Sequence, residues 1–191
     1  AVGGGRPVKL VWTREDDIRG GYYRPAFVHR VEVGLDAQGT IAAWNHHLAG
    51  PSILAGTPFE PMMVKDGVDP TSVEGAADTP YAIPNLNVVL HTVDAGVPVL
   101  WWRSVGHSHT AFVMETMMDE LAAAAGKDPV EFRRALLADK PRVKNVLEVA
   151  AAKAGWGAPM PKGRARGIAV HESFGSVCAQ VAEVSLESGA P

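Results

Sequence analysis

One cysteine, Cys178, is all the thiol this 191-residue chain carries. A lone thiol makes no intrachain disulfide and builds neither an iron–sulfur cluster nor a four-thiolate zinc site. The expectation for Cys178 is a buried, inert side chain, and any centre that needs cysteine ligands belongs on another chain. Excess charge is also scarce. Against 18 Lys and Arg stand 21 Asp and Glu, a net charge of -3, and with no basic stripe the chain does not read as a nucleic-acid binder. No run is long and apolar enough to span a membrane, and the first residues lack the basic and apolar pattern of a secretory signal. Neither Ala1-Val2-Gly3-Gly4-Gly5 nor Ser188-Gly189-Ala190-Pro191 resembles a native terminus. The expectation is a piece of a longer polypeptide, 1–191 forming one α+β domain.

What is present is an ordinary globular mixture, 47% hydrophobic and 20% charged. Alternating apolar residues predict strands over Pro7–Thr13, Phe27–Leu35 and Thr40–Leu48, the last two joined by a turn at Asp36-Ala37-Gln38-Gly39. Arg14 to Asp17 reads as the polar run that ends the first strand. Residues 49–80 are rich in Pro, Gly and Asp and predict a long surface excursion with one short helix near Thr71–Ala77. Further strands are predicted over Leu86–Thr92 and Val97–Trp102.

Three consecutive helices follow. The first runs from Thr110 to Ala125, with Val113, Met117, Leu121 and Ala124 on its apolar face. The second is capped by Asp128 with Pro129 in its first turn and ends near Leu137. The third covers Arg142–Ala154, with Val143, Val146, Leu147, Ala150 and Ala151 inward. Strands over Arg166–His171 and Cys178–Leu186 close the chain. The order predicts an α+β fold with a mixed sheet.

The most informative segment is Val97 to Glu120, VPVLWWRSVGHSHTAFVMETMMDE. An apolar strand with two tryptophans runs through Arg103-Ser104-Val105-Gly106 into a helix start. A glycine there admits close approach to the backbone. The helix start offers unpaired N–H groups, and the arginine adds a fork of donors. Trp101 and Trp102 alternate faces, so one is expected in the core and the other at a pocket or interface. Met114, Met117 and Met118 read as core packing. Glu115 and Glu120 read as solvent-facing, and Glu172 and Glu183 as strand residues that are paired or exposed.

Histidines offer a rival chemistry. His107 and His109 form an H-x-H pair that, on a strand, would aim two imidazoles at one metal ion, as in a metal-dependent hydrolase. No third ligand stands at a clear spacing. Adjacent His46 and His47 point to opposite faces of a strand and are poor partners.

Several separated blocks together carry a resemblance. GRPVKLVWTREDD, GLDAQGTI, YAIPN, WWRSVGHSHTAFVMETMMDELA, GKDPVEFRRALL and RGIAVHESFGSVCAQVAEVSL follow in this order. In that order the chain resembles the molybdopterin-binding large subunit of the xanthine dehydrogenase and aldehyde oxidase family, and most of all its isoquinoline 1-oxidoreductase members. The resemblance implies a molybdenum-pterin cofactor, in bacteria commonly with a cytosine dinucleotide extension. It implies hydroxylation of an N-heterocyclic aromatic or an aldehyde with oxygen from water, and electron transfer to an iron–sulfur small subunit. A homodimer and a bacterial cytoplasmic or periplasmic setting are compatible with it.

Residue by residue, the resemblance places Arg103, Ser104, Val105 and Gly106 at the turn beside the cofactor, and Trp102, Val105 and Asn87 in the substrate pocket. Val105 stands where xanthine-type members place a phenylalanine, and Asn87 near where they place an arginine. Both departures imply a more apolar pocket, suited to a neutral heterocycle or an aldehyde. The family's FGGGFG-type loop and its Gly-x-Gly-Glu segment, with the catalytic glutamate, have no match here. No catalytic residue or metal ligand is therefore expected within the chain, and by itself it is expected to bind no cofactor and to be inactive. A pure scaffold or subunit-docking role is the remaining alternative.

Overall fold

Asp36 closes the hairpin of a three-stranded sheet. Its Oδ1 accepts the N–H groups of Gln38 at 2.9 Å and Thr40 at 2.8 Å, and Gly39 takes φ +67°, which a side chain would resist. The turn joins β1 (Val28–Leu35) to β2 (Ile41–Gly50) in antiparallel register. Strand β3 (Leu86–Thr92) then pairs with β2 in parallel, giving the order β1-β2-β3 and a mixed sheet. The computed structural model describes residues 4–186. The expectation that both ends are cut points falls largely on residues outside that range.

Parallel pairing needs a long crossover, and this explains the 49–80 stretch. It carries α2 (Glu60–Met63) and α3 (Pro70–Val73), and it buries Ile53, Leu54, Val73 and Ala76. Much of it is packed connection, where its composition predicts surface.

Helices α4 (His107–Ala124), α5 (Pro129–Leu136) and α6 (Pro141–Lys153) follow in the predicted order. Asp128 caps α5 by accepting from Val130 N at 2.9 Å and Glu131 N at 3.1 Å. Helix α6 buries Val143, Leu147 and Ala151 as expected. The chain closes with a hairpin of its own, β4 (Arg164–Ser173) and β5 (Ser176–Ser185). One core joins these parts: Ile41 and Trp44 of β2, Met114 and Met118 of α4, Leu147 of α6, and Ile168 and Val170 of β4.

Several expectations are corrected. Residues 7–13 form no ladder, and the polar run after them starts a helix, α1 (Arg14–Gly20), with Thr13 and Asp16 as its capping box. Val97–Trp102 forms no strand; its one β-bridge among the described residues joins Val99 to Tyr23. Cys178 is exposed, because β5 turns Val177, Ala179 and Val181 toward the core and so sends residue 178 outward. Helix α4 buries Thr110, Met114, Glu115, Met118, Leu121 and Ala122: Leu121 lies inward as predicted and Met117 packs against the core, but the buried face is rotated away from Val113 and Ala124. The rotation follows from Glu115, which is not solvent-facing but bound inside. Glu183 is ion-paired to Arg164 and Arg166 on the exposed face of the β4–β5 hairpin.

Candidate functional site

Between Trp102 and Gly106 the backbone turns sharply. Val105 N–H donates to Trp102 O at 2.9 Å, and both Ser104 (φ +69°) and Val105 (φ +44°) lie in the left-handed region. A β-branched residue in that region is strained, at a cost on the order of 1–2 kcal/mol, and such strain concentrates at ligand-facing segments. The turn is held from outside. Arg24 Nη1 donates to Arg103 O at 2.8 Å and also to Ser108 Oγ, while Ser108 Oγ donates to Arg103 O at 3.1 Å.

Gly106 sits in a tight joint at the start of α4. A Cβ there would strike the carbonyl oxygen of Thr71, so the glycine lets the crossover pack on the helix start and leaves no room for a ligand at that atom. Its N–H donates to Glu74 Oε1 at 2.8 Å. The α4 start is thus capped by an internal carboxylate, whose pKa burial pushes up against the pull of the Gly106 N–H and His107. Thr110 completes the joint, donating to Glu74 O at 2.7 Å.

What remains open is the outer edge. Among the described residues, the main-chain N–H groups of Arg103 and Ser104 and the Arg103 guanidinium have no hydrogen-bond partner. Trp102 is 52% exposed and Trp101 38% exposed, so neither enters the core; Trp101 packs edge-on to Phe59. Behind the turn lies a cavity of about 10 Å³, lined by Phe27, Ile53, Leu100, Trp102, Val105 and His109. That volume holds about one water molecule. Asn87 does not line this cavity. It sits exposed on β3 and donates to Asn45 Oδ1 at 2.8 Å.

Histidines crowd the same region, a grouping that reading along the chain did not anticipate. His29 Nδ1 lies 2.8 Å from His46 Nε2, and His29 Nε2 lies 3.0 Å from His109 Nδ1. His107 Nδ1 lies 2.8 Å from His171 Nε2. His107 and His109 occupy a helix, not a strand, and reach different partners. Among the described residues no cluster of three or more His, Cys, Asp or Glu is arranged to hold a metal ion, so the hydrolase reading has no site. Burial lowers His109 to about 3 and His46 to about 4, with the neighbouring imidazoles adding to the effect. His29 is lowered by burial as well.

Comparison with known proteins shows the family. Residues 1–137 match the family described as molybdopterin cofactor-binding domain. The chain is 31% identical over 153 residues to the beta chain of isoquinoline 1-oxidoreductase from Brevundimonas diminuta, covering 80% of this chain and 20% of that protein. It is 30% identical over 156 residues to a component of nicotinate dehydrogenase from Pseudomonas putida, covering 79% of this chain and 13% of that one. The aldehyde oxidoreductase of Desulfovibrio gigas shares the fold with a TM-score of 0.58 at 19% identity, over 83% of this chain and 19% of its own. The chain thus spans a fifth or less of the length of these two curated relatives.

Proposed function

Because this chain belongs to the molybdopterin cofactor-binding domain family, we propose that it forms part of the cofactor-binding subunit of a molybdenum hydroxylase. The observation that carries this is the match over residues 1–137, which contains the strained, outward-facing turn at Trp102–Gly106. When bound, the molybdenum-pterin group supplies two-electron oxidation of a carbon centre.

The residues present fit that group along one edge. Arg103 and Ser104 would hold it, offering main-chain N–H groups and a guanidinium to its polar rim. Val105 and Gly106 shape the turn. The Gly106 N–H is already spent on Glu74, and the cavity behind the turn is far too small for a pterin. The site is therefore one wall of a larger one, the rest coming from the polypeptide beyond the matched span. The names of the two relatives favour an N-heterocyclic aromatic as substrate, and the family resemblance keeps an aldehyde as the other class. Trp102 and Val105 supply an apolar wall suited to a neutral ring, and Asn87 is assigned to the pocket from the resemblance alone. A molybdopterin cytosine dinucleotide form, an electron-accepting iron–sulfur small subunit and a homodimeric assembly complete the reading.

Elemental analysis tests it. The 191-residue chain purified alone is expected to carry no molybdenum and no activity. The parent polypeptide, produced with its iron–sulfur partner, is expected to carry it stoichiometrically and to oxidise isoquinoline or an aromatic aldehyde. A metal-loaded parent inert toward both classes would overturn the assignment, and stoichiometric molybdenum on the 191-residue chain would overturn the reading of its site as one wall of a larger one.

A further inference from the structure

Gly106 is the N-cap residue of α4 and brings no side chain to cap with. The first N–H groups of a helix need acceptors, and Ser, Thr, Asp or Asn at the cap is the usual source. None of these fits here, because a Cβ at residue 106 would strike Thr71 O. The acceptor comes instead from 32 residues upstream, where Glu74 Oε1 takes the Gly106 N–H at 2.8 Å.

The segment that carries Glu74 is fixed on both sides. Before it, Asp69 is 1% exposed; its Oδ1 accepts from Thr71 N at 2.8 Å and from Thr71 Oγ1 at 2.6 Å, and its Oδ2 accepts from Ser52 Oγ at 2.5 Å. After it, Gly75 takes φ +81° and lies so close to α4 that a Cβ would stand 2.7 Å from Thr110 Oγ1 and 2.8 Å from His107 Nδ1. Packed backbone thus delivers the carboxylate to one point. Ser104 and Val105, both left-handed, come immediately before that point. Strained residues keep such a form only where their surroundings over-determine it. Arg24 grips the turn at Arg103 O, and Glu74 grips it at Gly106.

We propose that Glu74 is a positioning residue of the cofactor wall. Its carboxylate pins the Gly106 N–H and so holds Ser104 and Val105 in the left-handed form that leaves the Arg103 and Ser104 N–H groups unpaired. This rests on the reading of that turn as a wall of the cofactor site. Glu74 touches no ligand itself; it acts through Gly106. The titratable groups facing it are His107 of α4, with Nε2 3.8 Å from Glu74 Oε2, and Asp78 on the crossover. His171 of β4 stands behind His107 at 2.8 Å. Burial lifts the Glu74 carboxyl above the usual carboxylate range, which sets its titration apart from that of exposed carboxylates.

Backbone ¹H–¹⁵N spectra, amide exchange and HN–Hα couplings of the full 191-residue chain test this. In Glu74→Ala the Gly106 amide is expected to exchange about ten- to a hundredfold faster, the loss of one hydrogen bond to a charged group. The couplings of Ser104 and Val105 should shift as both residues leave the left-handed region. Glu74→Gln keeps an acceptor oxygen and should restore those couplings. In the unsubstituted chain the Gly106 and Ser104 amide signals should follow one shared titration, which Glu74→Gln removes while the histidine titrations persist. This pH comparison decides the matter even where Glu74→Ala does not fold: a Gly106 signal that titrates while Ser104 stays still would overturn the proposal. Unmoved Ser104 and Val105 couplings in a folded Glu74→Ala chain would overturn it too, and both results leave the wall standing. In the parent polypeptide with its iron–sulfur partner, Glu74→Ala should lower molybdenum content severalfold. A relaxed turn in a parent that still loads molybdenum fully would refute the wall, and the proposal with it.

Discussion

Two polar networks lie under the surface of this protein, and they are finished to different degrees. In the first, Arg133 is 0% exposed and donates to Glu115 Oε2 at 3.0 Å, Asp119 Oδ1 at 2.6 Å, Glu115 O at 2.9 Å and Pro129 O at 3.2 Å. Glu115 also accepts from Tyr81 OH at 2.6 Å and Val170 N at 2.9 Å. No buried side-chain nitrogen or oxygen of this group is left without a partner. Burial raises the Glu115 carboxyl, opposed by Arg133 and by its hydrogen bonds. The second network is the histidine chain of His46, His29 and His109, in which three neutral imidazoles bring three N–H groups to two links and leave one over. A saturated network ties α4, α5 and β4 into one body. The unsaturated one joins β1, β2 and α4 and keeps two buried nitrogens without partners among the described residues.

The largest test of that contrast is Arg133→Ala. It strips a buried carboxylate of its cation, and removing one member of a buried pair costs about 3–5 kcal/mol. Thermal unfolding is expected to fall by many degrees, with loss of the α4–α5 packing. A drop of less than about 1 kcal/mol would mean that water replaces the guanidinium, and the network would not be the tie described.

Acid unfolding separates the networks next. His109 and His46 titrate at about 3 and about 4 in the folded chain and near 6.5 when unfolded. Between those values the unfolded chain binds more protons, so stability falls as pH falls. The contribution of these imidazoles is fully present above about pH 6.5 and is lost progressively through the window down to about 4 and 3. Urea midpoints measured from pH 7.5 to 4.5 should decline across this window. A flat profile would mean that the histidines are hydrated and the chain is open to water.

Much of the fold follows from local signals. The cap at Asp128, the proline opening α5 and the glycine of the β1–β2 turn each act within a few residues, and each forms as the sequence predicts. The failures are non-local. Glu115 reads as solvent-facing because Arg133, Tyr81 and Val170 are distant in sequence, and the face of α4 turns with it. Val97–Trp102 has a strand pattern but, among the described residues, only Tyr23 to pair with. The turn itself was legible as Arg103-Ser104-Val105-Gly106. Its capping by Glu74 was not, since that carboxylate arrives on the crossover. Nor was the histidine chain, assembled from β1, β2 and α4; a spacing of H-x-H says nothing of which imidazole lies opposite.

The smallest expected change sharpens the comparison most. His109→Phe removes one imidazole–imidazole hydrogen bond, worth about 0.5–1.5 kcal/mol. The new ring inherits the stacked position over Phe27, where His109 lies at a centroid separation of 4.0 Å and 16° between planes, and an aromatic pair contributes about 0.5–1.5 kcal/mol. The proton count is also preserved: two imidazoles remain, with two N–H groups and one internal link, so one donor is still left over. These terms offset, and stability at pH 7 should change by less than about 1 kcal/mol. Below pH 6.5 the substitution removes the group most depressed in the fold, so the decline with acid should be shallower than in the parent chain. A loss at pH 7 as large as that of Arg133→Ala would show that the histidine chain holds the fold together, and the distinction between the two networks would fail.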